Sequence, residues 1–171
     1  MNAKAKTAFQ YGGALVLLLA ATFFLAWFRA VDTKPVLSLE GMEFRNLSGK
    51  KAELQGKTTV VYFWATWCEV CTINLPVVKW YASVLKDRTG FSFLSVEEGE
   101  NQVALNDYIR MKGVDFPVIQ GNPMLLRDWR IGGYPSFYIL DGGGNVRFAE
   151  SGIMSPFGML LRLVWAKIFW P

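Results

Sequence analysis

Residues 58 to 71, Thr-Thr-Val-Val-Tyr-Phe-Trp-Ala-Thr-Trp-Cys-Glu-Val-Cys, constrain this chain more than any other stretch. From Thr58 to Trp64 the side chains are uncharged and nearly all β-branched or aromatic, which predicts a strand covered on both faces in a parallel or mixed sheet. Downstream, Ile73, Val77, Trp80, Tyr81, Val84 and Leu85 recur at helical spacing as far as Gly90, a candidate C-terminal cap, and Pro76 is expected to bend that helix. The only two cysteines, Cys68 and Cys71, therefore fall at the C-terminal edge of a central strand, where a helix begins.

Two sulfurs with two residues between them can close a small ring as a disulfide or reopen as a dithiol. Zinc needs about four ligands, and a chain with no histidine and no third cysteine cannot supply them. Copper(I) accepts two thiolates, so a copper carrier stays open as a reading from another functional class. The free N–H groups and positive end of a helix starting here favour the thiolate of Cys68. Cys68 is thus the candidate nucleophile, and Cys71, further into the helix, the resolving cysteine.

Length and composition admit one domain of ordinary size and one membrane segment, since 171 residues are 52% hydrophobic. Residues 7 to 28 carry no charge, and at about 1.5 Å per residue they would span about 33 Å, enough for a bilayer core of about 30 Å. A cleaved secretory signal needs small residues at its end, whereas Trp27, Phe28 and Arg29 are bulky, so an uncleaved anchor is expected. Lys4 and Lys6 precede the span, while Arg29, Asp32 and Lys34 nearly cancel after it, which places the N-terminus in the cytoplasm and the cysteines outside. Basic residues elsewhere are scattered among acidic ones, so the net charge of +4 gives no nucleic-acid footprint.

Residues 31 to 35 read as a linker. Leu37, Leu39, Met42, Phe44 and Leu47, the turn Ser48-Gly49-Lys50, and Ala52-Glu53-Leu54 then read as a β-hairpin. Beyond the cysteines, strands are expected at residues 91 to 96, 116 to 119, 137 to 140 and 146 to 149. Helices are expected at 101 to 111, closed by Gly113, and at 123 to 129. Asp141-Gly142-Gly143-Gly144-Asn145 lies between two strands and is a hairpin turn, not a phosphate cradle. Ser155-Pro156 opens a last helix from Phe157 to Trp170, apolar almost all round, expected to cover the sheet, with Trp165, Phe169 and Trp170 as candidates for touching a membrane surface.

Phe63-Trp64-Ala65-Thr66-Trp67-Cys68-x-x-Cys71, with Pro76 five residues later, resembles the active-site segment of thioredoxin-fold proteins. With a hairpin and an anchor before it, the layout resembles the tethered thiol–disulfide oxidoreductases of the TlpA, ResA and DsbE type, ScsD-like proteins included, over about residues 36 to 155. The resemblance implies an α/β thioredoxin-like fold, a central mixed sheet flanked by helices, with an N-terminal β-hairpin and an N-terminal transmembrane helix. Its domains would be residues 1–30 as cytoplasmic tip and anchor, 31–35 as linker and 36–171 as the thioredoxin-like domain. It implies a bacterial inner-membrane, single-pass protein with its catalytic domain in the periplasm, protein disulfides as substrates, a membrane thiol transporter as electron donor, and no bound cofactor or metal. It further implies a cis proline at Pro135, with Trp67, Tyr134 and Pro135 shaping the substrate groove. Oxidase or isomerase activity, copper(I) binding and a non-enzymatic holdase are the alternatives.

Two departures matter. The resemblance expects an acid six residues before the first cysteine, where this chain has Tyr62, or two residues before the helix proline, where it has Asn74. Both usual candidates for moving the resolving cysteine's proton are absent. Glu69, between the cysteines, and Glu97 and Glu98, after the next strand, are substitutes or else solvated loop charges. In either role the Glu69 charge disfavours the neighbouring thiolate and opposes the helix end. A less stabilised thiolate makes the dithiol the better reductant. Glu69→Gln should therefore raise the reduction potential by on the order of tens of millivolts; equilibration against glutathione checks this, and no shift, or a fall, contradicts it.

Overall fold

In the computed structural model the described residues are 11–14, 17, 21, 56–86, 88–99 and 101–170. The expected linker and N-terminal hairpin lie outside them, as does most of the expected span, of which residues 11–14, 17 and 21 are helical and exposed. Among the described residues no helix is long and apolar enough to cross a membrane.

Among the described residues from 56 onward, five strands and four helices follow one another. They are β1 (Thr58–Trp64), α1 (Glu69–Lys86), β2 (Phe91–Glu97), α2 (Gln102–Lys112), β3 (Val118–Gln120), α3 (Pro123–Asp128), β4 (Ser136–Leu140), β5 (Val146–Ser151) and α4 (Pro156–Phe169). The sheet order is β3-β2-β1-β4-β5. The pairings β1–β2 and β2–β3 are parallel, and β1–β4 and β4–β5 are antiparallel, so β1 is central in a mixed sheet.

All seven residues of β1 are buried, as a strand with cover on both faces requires. Successive side chains point to opposite faces. Val60, Tyr62 and Trp64 join a core cluster with Leu75 and Val78 of α1, Leu105 and Tyr108 of α2, and Met159 and Leu163 of α4. Val61 and Phe63 join a second cluster with Leu94, Val96, Tyr138, Leu140 and Trp129. Fully burying one such large apolar side chain contributes about 1.5–3 kcal/mol, so the central strand is fixed by packing from two sides.

Helix ends follow local chemistry. Asn101 caps α2 by accepting from the N–H groups of Val103 and Ala104, and Gly113 closes it in the left-handed conformation. Ser155 caps α4 ahead of Pro156 by accepting from the Gly158 N–H, 3.1 Å away. The end of α1 departs from expectation. It stops at Lys86, and Gly90, with φ of 81°, instead makes the turn into β2 while its carbonyl accepts from Thr58 N–H. Pro76 lies inside α1, which continues on both sides of it.

The apolar spacing of α1 also resolves differently from the simplest reading. Its core face is Cys71, Asn74, Leu75, Val78, Tyr81, Ala82 and Leu85, while Ile73 is 65% and Trp80 44% exposed. Two apolar stripes overlap in this sequence, and only one meets the sheet. Similarly, α4 covers the sheet with Met159, Leu163 and Ala166 and leaves Phe157, Leu161, Val164, Trp165, Ile168 and Phe169 exposed.

The turn between β4 and β5 is built on Asp141, whose Oδ1 accepts from the Gly143 and Asn145 N–H groups, both at 2.9 Å. Its Oδ2 pairs with Arg147 at 2.7 Å. Burial alone would raise the Asp141 pKa, but the Asn145 N–H and the Arg147 guanidinium together hold it below the ordinary carboxylate value. A folded pKa below the unfolded one means stability that is complete above the unfolded value of about 3.9 and lost as pH falls through the folded value. Asp141→Asn should thus lower the urea midpoint near neutral pH, with the gap to the parent protein closing as pH drops below about 4; a gap independent of pH would contradict the assignment.

Candidate active site

The site starts where β1 ends. After Trp64 the chain turns, with Cys68 N–H donating to Ala65 O at 3.2 Å, and α1 begins at Glu69. Cys68 and Cys71 are joined by a disulfide, with S–S 2.06 Å and Cα–Cα 5.2 Å. The Cys71 N–H donates to Cys68 Sγ at 3.0 Å, so a first-turn amide that no helical carbonyl can satisfy is aimed at this sulfur. Both cysteines are buried, Cys68 retaining 4% exposure and Cys71 1%.

A second loop meets the first. Phe63 pairs with Ser136 across β1 and β4, which puts Pro135 at the sheet edge from which the Cys68 loop leaves. The Tyr134–Pro135 peptide is cis. Pro135 O accepts from Gly152 N–H at 2.7 Å, tying this loop to the end of β5. The Tyr134 ring meets the exposed Trp67 indole edge-on, with centroids 5.8 Å apart.

A third loop, after β2, supplies carboxylates. Glu98 is held by its own N–H, which donates to Trp64 O at 3.0 Å, and its Oε2 accepts from Trp67 Nε1 at 2.5 Å. Glu97 pairs in register with Trp64, on the sheet face that also carries the cysteines. It is buried, and its Oε2 accepts from Gly99 N–H at 2.9 Å. Neither residue is therefore a merely solvated loop charge. Glu69 is exposed.

Beneath the disulfide, the expected acid is replaced by groups of different chemistry. Tyr62 is fully buried, its Oη has no hydrogen-bond partner, and burial, followed by Tyr108, pushes its pKa up. A tyrosine held protonated cannot take a proton from a thiol as a carboxylate can. Asn74 is buried with its Nδ2 unpartnered. Next to Cys71, Thr72 Oγ1 and Tyr108 Oη lie 2.9 Å apart, a contact not foreseen from the sequence.

The sequence also gave no warning of how tightly the carboxylate loop is held. Gly99 has φ of 96°, and a Cβ there would lie 2.0 Å from Gly121 O, so only glycine lets the two loops cross. Among the described residues no group of three metal-ligating side chains forms.

A Cys-x-x-Cys at a helix's first turn, a cis-proline loop on the same edge and a central strand in a mixed sheet define a thioredoxin-fold protein with a dithiol–disulfide couple. The chain belongs to the thioredoxin-like family, whose sequence profile matches residues 56–146. It is similar to the thioredoxin-like protein YneN of Bacillus subtilis, 28% identical over 82% of this chain and 89% of that one. It is also similar to the thiol-disulfide oxidoreductase ResA of Bacillus subtilis, 26% identical over 89% of each chain. Among solved structures, a thiol:disulfide interchange protein of the thioredoxin family from Chlorobium tepidum superposes with a TM-score of 0.63. That match is 26% identical and covers 77% of this chain and 93% of the other.

The hydrogen bond from Trp67 to Glu98 has a direct signature. Glu98→Ala should move the Trp67 indole N–H resonance upfield and speed its exchange with solvent, while Glu98→Gln, which keeps an acceptor oxygen, should preserve much of both. A Trp67 resonance unmoved by Glu98→Ala in a proton–nitrogen correlation spectrum would show that the bond is not formed in solution.

Proposed function

We propose that this chain is a thiol–disulfide oxidoreductase that reduces protein disulfides with Cys68 as nucleophile and Cys71 as resolving cysteine. The observation that carries this is the helix-initial N–H directed at Sγ of the less buried of the two paired cysteines. The charge that develops on Cys68 when the disulfide opens meets a fixed donor there.

In the dithiol form the Cys68 thiolate attacks one sulfur of the substrate disulfide. The new S–S bond joins enzyme and substrate, and the other substrate sulfur leaves as a thiolate that takes up a proton. Cys71 then loses its proton and attacks Cys68 Sγ, which releases the second substrate thiol and regenerates the Cys68–Cys71 disulfide. Two electrons pass to the substrate, and a thiol donor returns them to the enzyme. Trp67, Tyr134 and Pro135 form the walls of the groove in which a substrate segment lies, and Glu69, by disfavouring the Cys68 thiolate, makes the dithiol the stronger reductant. No bound cofactor takes part.

In this reading residues 1–30 are a cytoplasmic tip and membrane anchor, 31–35 a linker and 36–171 the catalytic domain, held on the periplasmic side of a bacterial inner membrane. The uncharged stretch from residue 7 to 28 supports it. A membrane-embedded thiol transporter is the donor that suits this location.

Insulin reduction by the full chain with dithiothreitol as donor tests the activity. The parent protein should accelerate precipitation of the insulin B chain, Cys68→Ser should abolish the effect, and Cys71→Ser should accumulate a mixed disulfide with its substrate. Acceleration that survives Cys68→Ser would overturn the proposal, and tight copper(I) binding without any reduction would favour a carrier instead.

A further inference from the structure

The solvent side of α1 is unusual for a helix packed on a sheet. Val70, Ile73, Val77 and Trp80 share one face, being three, four and three residues apart. They are 40%, 65%, partly and 44% exposed. A helix of this kind normally turns polar side chains to water; among the described residues of α1 the charges are Glu69 at the start of the stripe, Lys79, whose Nζ donates to Lys112 O at 2.6 Å, and Lys86 in the last turn. Toward the far end the stripe runs into a shallow pocket of about 390 Å³ lined by Pro76, Val77, Trp80 and Pro156, all apolar. Contiguous exposed apolar surface ending in a concavity is the signature of a docking site.

Its position says what docks. The stripe begins between the two cysteines, at Val70, and a substrate sulfur must come within bonding distance, about 2.05 Å, of Cys68 Sγ during exchange. Whatever polypeptide presents that sulfur is held at the head of the stripe and can lay its neighbouring residues along it. From Cys68 to the pocket is about ten residues of helix, or about 15 Å. An extended chain covers about 3.3 Å per residue, so a side chain four or five residues from the substrate cysteine reaches the pocket.

We propose that the exposed face of α1, from Val70 to the pocket of Pro76, Val77, Trp80 and Pro156, binds an apolar side chain of the polypeptide whose disulfide is exchanged at Cys68. This rests on the oxidoreductase reading above. It adds a preference that the redox pair alone does not give: disulfides flanked, four or five residues away, by leucine, phenylalanine or tryptophan.

The test uses the reduced full chain and synthetic peptides carrying one cysteine as a mixed disulfide with glutathione. The peptides have leucine or serine at the position five residues from the cysteine, on either side. The ratio of single-turnover second-order rate constants, for oxidation of the dithiol by the leucine and by the serine peptide, should be about tenfold in the parent protein, for one well-buried apolar side chain. In Trp80→Ser, and independently in Ile73→Ser, the ratio should fall toward unity. Because the ratio is taken within one variant, a general loss of activity does not imitate this result. Equal rates for both peptides in the parent protein, or a preference unchanged in both variants, overturn the docking face while leaving the redox function standing. Failure to reduce oxidised glutathione or either peptide overturns both.

Discussion

The Cys71 N–H pointing at Cys68 Sγ is the contact on which the rest of the site depends. It exists because a helix must begin with amides that lack carbonyl partners, and because this helix begins one residue after Cys68. Everything that fixes the start of α1 therefore fixes the chemistry. The end of β1 is immobilised by burial on both faces, and the Ala65–Cys68 turn leaves no slack between strand and helix. The sulfur is delivered to the sheet edge by packing that lies almost entirely beneath it.

Around that sulfur the chain spends polar groups in an uneven way. Above the sheet edge, Glu98 fixes the Trp67 indole and the indole meets Tyr134, so side chains of the β1, β2 and β4 loops are linked through Trp67. Below it, Tyr62 and Asn74 are buried with unpartnered polar atoms where a carboxylate would be expected. An unsatisfied buried hydroxyl costs about 1–3 kcal/mol, whereas an unpaired buried carboxylate costs more, so the exchange of acid for tyrosine relieves the core of its most expensive group. What it gives up is a proton acceptor directly beneath the disulfide, and the buried carboxylates on that sheet face are instead Glu97, in register with Trp64, and Glu150, in register with Phe137 and paired with Arg162.

Legibility followed range of interaction. The cap at Gly113, the helix start at Ser155 and the hairpin on Asp141 are set by residues within five positions of one another, and each was readable; Asn101, read as the first residue of its helix, is instead its N-cap. The Trp67–Glu98 bond spans 31 positions and the Thr72–Tyr108 contact 36, and no local pattern announces either. Gly90 misled for a related reason. A glycine after an apolar run suits a helix cap, but here the demand came from a turn whose carbonyl had to meet Thr58.

The sequence alone determined that a buried strand runs into a helix at a Cys-x-x-Cys, because composition and spacing act over a single turn of chain. It also placed Pro135 just ahead of a strand, since a residue without an N–H is tolerated there and not within the ladder. Only the tertiary structure decided which apolar stripe of α1 faces the sheet, leaving Ile73 and Trp80 in solvent beside the redox site. Periodicity reports that a face is apolar; what covers that face depends on strands brought alongside from distant parts of the chain, and that is a property of the assembled sheet.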